Sequence, residues 1–294
     1  KKTLAMTTLA GLLAACNSDN DVVELVVAPV VSTTLSGAVV KGPLSGAIVF
    51  ADADGDGIQG PDEISVTTAS DGSYTVSSSN STSSIIAMTT EDTIDTSSGE
   101  KLSGITLKAP AGSTVITPAT TILEAQPDIE PAQLAIALGI PTTAADGSAI
   151  DLLTFNPYAA DADPAAALAS EKAAQQVMVT IKAVSAAAEG AGMSVENAFE
   201  QAMASVAEVV SVAAEKIDVT STASIAAAEA TMATNKDDFS DTETMAAVTT
   251  AVKAKVTAAA VADDTIVINE TAFATTLTSA AAAVANVVAA IEAI

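Results

Sequence analysis

Ser36-Gly-Ala-Val-Val-Lys41-Gly42-Pro43-Leu-Ser-Gly46-Ala-Ile-Val-Phe-Ala-Asp52 leads into Ala-Asp54-Gly-Asp56-Gly57-Ile58-Gln59-Gly-Pro-Asp62-Glu63 and then Ile-Ser-Val-Thr-Thr68. Short runs of β-branched and aromatic residues, broken by Gly42-Pro43 and by the Gly-rich acidic stretch, predict strands. They fall at 36–41, 46–51 and 63–68. Between the last two, acidic residues stand at alternate positions. Asp52, Asp54 and Asp56 occupy positions 1, 3 and 5 of a twelve-residue loop, Gly57 position 6, Ile58 position 7 and Glu63 position 12. That is the spacing of a calcium loop. Ca²⁺ takes about six to eight hard oxygens, and the sharp turn at position 6 lets alternate carboxylates converge on one point. Asp52, Asp54, Asp56, the Ile58 carbonyl and Glu63 are therefore the candidate metal ligands, and Ca²⁺ is the expected cofactor. Read instead as a plain acidic turn, the stretch crowds four carboxylates together with no cation. Gln59 stands where a helix-loop-helix hand carries an apolar residue, and the flanks read as strands. The expectation is a loop pinned between two strands, with the weak affinity of extracellular modules, about 10⁻⁴ to 10⁻³ M.

Outward from this stretch, Asp71-Gly72 and Ser98-Gly99 mark further turns, with candidate strands at 73–78, 84–89 and 104–108. Their spacing predicts an antiparallel sandwich over residues 35–120. Beyond residue 121 the period changes to that of helices. Pro131 opens one at 131–138, stopped by Gly139 and Pro141. Asp163-Pro164 caps a second, to about 189, with Val177, Ile181, Val184 and Ala188 on one face. Ser194 caps a third, to about 216, showing Phe199, Met203, Val206 and Val210. Further helices are expected at 223–234, from 242 to just before Asp263, and at 270–293 after Asn269. Short connections and Ala-rich faces argue for a bundle. The expected fold class is thus α+β: an N-terminal antiparallel β-sandwich followed by an Ala-rich α-helical bundle over 121–294.

Composition narrows the function. Acidic residues outnumber basic ones 36 to 11, every basic residue is Lys, and His and Trp are absent. A chain of net charge −25 repels phosphate backbones, so no nucleic-acid partner is expected. Without His the commonest general base is missing. With one Cys there is no internal disulfide and no Cys/His zinc site. No Gly-x-Ser-x-Gly elbow and no phosphate loop occurs, and the chain does not read as an enzyme. Hydrophobic residues make up 49% of the chain, which is enough for a core, although much of it is Ala.

Lys1-Lys2 and the short apolar run to Ala15 read as a signal peptide over 1–15, too short to span a bilayer. Leu13-Ala14-Ala15-Cys16 resembles the lipobox of bacterial lipoproteins. The resemblance implies cleavage after Ala15, lipid on Cys16 and a membrane as partner through that anchor. Asn17, where Asp would favour inner-membrane retention, is compatible with the outer membrane or cell surface. Residues 16–34 read as a tether.

The 36–52 stretch, the acidic loop and Thr67-Thr-Ala-Ser-Asp71-Gly72-Ser-Tyr74-Thr-Val76 together resemble a carboxypeptidase-regulatory-like or prealbumin-like β-sandwich. Such modules recur in bacterial surface proteins, and the resemblance implies a stalk, spacer or binding role. Some relatives carry Lys–Asn cross-links; Lys41 stands at a matching place, but no Asn occurs in the last candidate strand, so none is expected here. The favoured reading is a lipid-anchored, calcium-binding surface protein with a structural or adhesive role. The alternatives are a module capturing a glycan or peptide from a surface partner, and a subunit of a filament or matrix self-associating through its helices.

Overall fold

A computed structural model describes residues 32–190 and 194–219, with single positions between 221 and 231. The signal peptide, Cys16 and nearly all of the tether fall outside the described residues, as do the helices expected beyond 234. Positions 223, 224, 227, 228 and 231, inside the helix expected at 223–234, are helical. The fold is α+β.

Among the described residues ten strands precede four continuous helices. They are β1 (Thr33–Val39), β2 (Leu44–Ser45), β3 (Ile48–Asp52), β4 (Ser65–Thr67), β5 (Ser73–Ser78), β6 (Ser84–Met88), β7 (Ile94–Asp95), β8 (Glu100–Lys101), β9 (Thr106–Ala109), β10 (Val115–Ile116), α1 (Pro118–Ala125), α2 (Pro131–Leu138), α3 (Pro164–Gly190) and α4 (Val195–Ser211). The strands form three sheets, ordered β10-β1-β5, β2-β7-β8 and β4-β3-β6-β9. Among the described residues one pairing departs from the antiparallel pattern: β1 and β10 run parallel, with Ala38 opposite Val115 and Val39 opposite Ile116. The chain can join them in parallel because the whole of β2 to β9 lies between.

Alternation sets β5, where Tyr74, Val76 and Ser78 point inward and Ser73, Thr75 and Ser77 outward. β3 is buried along most of its length, because β4 and β6 flank it on both edges. β4 is shorter than its sequence suggests. Glu63 is held in the acidic loop, and Thr68 turns its hydroxyl to Leu44 O at 2.6 Å while accepting Ala47 N–H at 2.9 Å.

Thr117 and Pro118 start α1. The Thr117 hydroxyl accepts Thr120 N–H at 3.0 Å, Thr120 returns the bond to Thr117 N–H, and proline at the first helical position loses no hydrogen bond. Thr120 and Thr121 then fasten the helix to β9: both hydroxyls donate to Lys108 O, and Thr121 Oγ1 accepts Lys108 N–H at 2.9 Å. Gly139 ends α2 in the left-handed region at φ 72°. α4 stops at Ser211, short of the expected 216. Past it the chain turns back, and Ile217 N–H donates to Ala137 O of α2 at 2.9 Å. One apolar core runs through both halves, from Val39, Val49 and Ile85 in the strands to Met178, Ile181 and Val206 in the helices.

Candidate metal centre

β3 delivers Asp52 to its end, buried at 7% exposure, and the chain then leaves the sheet for the twelve residues 53–64 before β4 resumes antiparallel pairing. The acidic loop is organised by its own backbone. Asp52 Oδ1 accepts Gly55 N–H at 2.8 Å and Oδ2 accepts Gly57 N–H at 3.0 Å. Glu63 Oε1 accepts Ala53 N–H at 2.6 Å and Oε2 accepts Gly60 N–H at 2.8 Å. Asp54 Oδ1 accepts Asp56 N–H at 3.3 Å. Gly55 and Gly57 take φ values of 80° and 77°, the left-handed region that a side chain disfavours. The two ends of the loop are therefore tied by Glu63, which bonds back across ten residues.

These bonds bring Asp52, Asp54 and Glu63 together, with one carboxylate oxygen from each lying within 4.8 Å of the others. Asp52 is buried, Glu63 half-buried and Asp54 exposed, so the cluster opens to solvent on one side. The cluster could hold a metal ion. Its donors are hard oxygens, with no thiolate or imidazole, which suits Ca²⁺ or Mg²⁺ rather than zinc or copper. Asp56, a further expected ligand, is not one of this trio. Asp56 Oδ1 accepts Ile58 N–H at 2.8 Å, and Ile58 exposes 69% of its surface, away from the core. A cationic side chain is close by: a Cβ built on Gly57 would lie 3.3 Å from Lys108 Nζ. Beside the loop runs a groove of about 340 Å³ whose walls include Asp52, Asp56, Lys108, Phe199 and Met203.

A second polar cluster includes Lys41, for which the sequence offered no partner. Lys41 and Asp95 are 2% and 1% exposed, with Nζ 3.4 Å from Oδ2. Asp95 Oδ1 accepts Ser97 Oγ at 2.6 Å, Ser97 N–H at 2.9 Å and Ser98 N–H at 3.3 Å. Glu171 of α3 is buried against this pair. Burial pushes its carboxyl up to about 7, the Asp95 charge adds to the shift, and Lys41, Tyr158 and Gly42 N–H pull against it. The three acid or base residues are far apart in sequence, and each taken alone reads as a solvated surface charge.

No family model, no curated protein and no solved structure matches this chain.

Proposed function

We propose that the chain is a lipid-anchored, calcium-binding surface protein with a structural or adhesive role. The observation that carries the calcium part is the convergence of Asp52, Asp54 and Glu63 within a loop of calcium spacing. In this reading the ion joins β3 to β4, replacing mutual repulsion of three carboxylates by shared coordination. Asp56 completes the shell by exchanging its bond to Ile58 N–H for the cation, with the Ile58 carbonyl as a further ligand. The strands form a sandwich-like module close to the membrane, and the Ala-rich helices continue it outward. The lipobox at Cys16 supports the anchor, and the scarcity of catalytic residue types supports an architectural role over an enzymatic one. Among the described residues no helix is long and apolar enough to cross a membrane; in this reading the attachment is the Cys16 lipid.

Calorimetric titration with Ca²⁺, paired with melting in Ca²⁺ and in chelator, tests the metal. Heat of binding and a raised melting temperature are expected. Neither appearing at millimolar Ca²⁺ overturns it. Mass spectrometry of protein extracted from membranes tests the anchor, and an unmodified Cys16 at the end of a cleaved chain rejects it.

The groove beside the loop favours a second reading, a module that captures a peptide or glycan. Phe199 and Met203 give it an apolar wall and the carboxylates a polar one. Binding that disappears in Phe199→Ala while Ca²⁺ binding persists would support this role.

A further inference from the structure

Lys41 follows β1 at the Gly42-Pro43 turn, and Asp95 ends β7. Their contact is closed from every side. Pro43 O accepts both the N–H and the hydroxyl of Thr96, at 3.0 and 3.1 Å, which holds the end of β7 against the turn. Gly42 is required between them: at φ 72° it favours no side chain, and a Cβ there would lie 2.6 Å from Asp95 Cγ. The sequence thus places an amine and a carboxyl carbon together and removes whatever would hold them apart.

Two buried charges at this distance are costly to keep, since each has lost its water. The carboxylate is also not held symmetrically. Oδ1 takes three donors, from Ser97 and Ser98, whereas Oδ2 faces Nζ. That is the arrangement for attack on Cγ: Oδ1 receives the developing negative charge in a preformed set of donors, and Oδ2 is the oxygen able to leave. Glu171 is fully buried near the same pair, close enough for both charges to act on it, and its Oε2 is free of any hydrogen-bond partner among the described residues. Beside Glu171 and Ser170 is a cavity of about 20 Å³, enough for one water molecule.

We propose that Lys41 Nζ and Asp95 Cγ condense to an intramolecular amide, with Glu171 carrying the proton between them. The step balances without any co-reactant. An ammonium and a carboxylate become an amide and water: the Nζ–Cγ bond forms, the Cγ–Oδ2 bond breaks, and Oδ2 leaves with two of the three ammonium protons. One proton passes from Nζ to the carboxylate, freeing the amine to attack. A second passes through Glu171 from the attacking nitrogen to Oδ2, and Glu171 ends as it began. Fixed proximity supplies the rate, because oriented intramolecular partners reach effective concentrations of about 10⁵ to 10⁸ M. Dryness supplies the direction, because the product removes two buried charges and the leaving water has only a small cavity before it escapes. The sequence offered Lys41 no Asn in the last candidate strand. Its partner is an Asp in a two-residue strand, and the proton carrier comes from a helix.

The test is tryptic mapping of the purified full-length chain by mass spectrometry. Trypsin does not cut after an acylated lysine, and no lysine lies between Lys41 and Lys101. The expected result is one looped peptide ending at Lys101, uncut at Lys41 and lighter than its composition by one water. Separate peptides ending at Lys41 and at Lys101, both at full mass, overturn the proposal. Lys41→Ala and Asp95→Ala are expected to give full-mass peptides; a loss of water persisting in either overturns the assignment. In freshly synthesised chain, Glu171→Gln is expected to slow the loss of water about 100-fold or more. Cross-linking at the wild-type rate removes Glu171 from the step. If Glu171→Gln does not fold, the wild-type rate against pH gives the same answer. Asp95, Lys41 and Tyr158 are the titratable groups facing Glu171, and the rate should fall as Glu171 loses its proton near pH 7. A rate that does not fall there rejects the role of Glu171.

Discussion

Asp52 Oδ2 accepts the Gly57 N–H at 3.0 Å, so the first acidic residue of the loop is held by the glycine at its sharpest bend. Gly57 sits at φ 77°, and a Cβ there would also approach Lys108 Nζ. Gly57→Ala therefore strains the backbone by about 1–2 kcal/mol and displaces the N–H that fixes Asp52. Both stability and cation affinity are expected to drop, read by chemical denaturation and by Ca²⁺ titration. A variant that loses stability but keeps full affinity would mean that Asp52 is positioned without this bond.

The cation itself should act as a stabilising ligand. At a hundredfold excess over its dissociation constant, Ca²⁺ stabilises by about 2.7 kcal/mol. In a chain of this size that raises the melting temperature by roughly 5–10 °C. Glu63→Gln should abolish most of the rise, since Glu63 both joins the cluster and closes the loop through Ala53 and Gly60. Differential scanning calorimetry with and without chelator reads it.

Glu171 makes stability depend on pH in an unusual sense for an acid. Its folded value of about 7 lies above the ordinary value of 4.5, so between these limits the folded chain holds the proton more tightly than the unfolded one. Its contribution is greatest at or below pH 4.5, declines as pH rises and is lost above about 7. The change is on the order of 3 kcal/mol, and burial, its main cause, persists whether or not Lys41 and Asp95 are joined. Asp71, Asp146 and Asp163, whose carboxyls are held low by local hydrogen bonds, slope the other way on the surface. The difference between wild type and Glu171→Gln, measured by urea unfolding from pH 4 to 8, isolates the buried group: the variant should gain on the wild type as pH rises.

Thr121 connects strand to helix through one oxygen that both accepts Lys108 N–H and donates to Lys108 O. Thr121→Val keeps the shape and removes the acceptor, leaving that N–H unsatisfied at a cost of about 1–3 kcal/mol. Denaturant unfolding should show this loss, and amide exchange at Lys108 should accelerate with it. An unchanged exchange rate would show that another acceptor takes the Thr121 place.

The parts of the fold that were legible in the sequence are those with a local cause. β5 follows from alternation at 73–78, α2 from Pro131 and Gly139, and the acidic loop from the spacing of Asp52, Asp54 and Glu63. β2, β7 and β8 were not legible, because two residues carry no period. The onset of α1 did have a signal, the Thr117 cap before Pro118. Spacing specifies which carboxylates can reach a cation, but not which loop N–H each one takes, as the bond from Ile58 N–H to Asp56 shows. Asp95 and Glu171 had no local signature, and Lys41 had none that named its partners: their partnership exists only once β1, β7 and α3 have packed.

The parallel pairing of β1 with β10 also fixes how the molecule carries load. Tension between the segment before Thr33 and the helices after Ile116 pulls these neighbouring strands in opposite directions along their length. Their hydrogen bonds are then loaded in shear, all at once, instead of being unzipped one by one. A pull from the N-terminal side of Thr33 thus meets its mechanical clamp at the first strand.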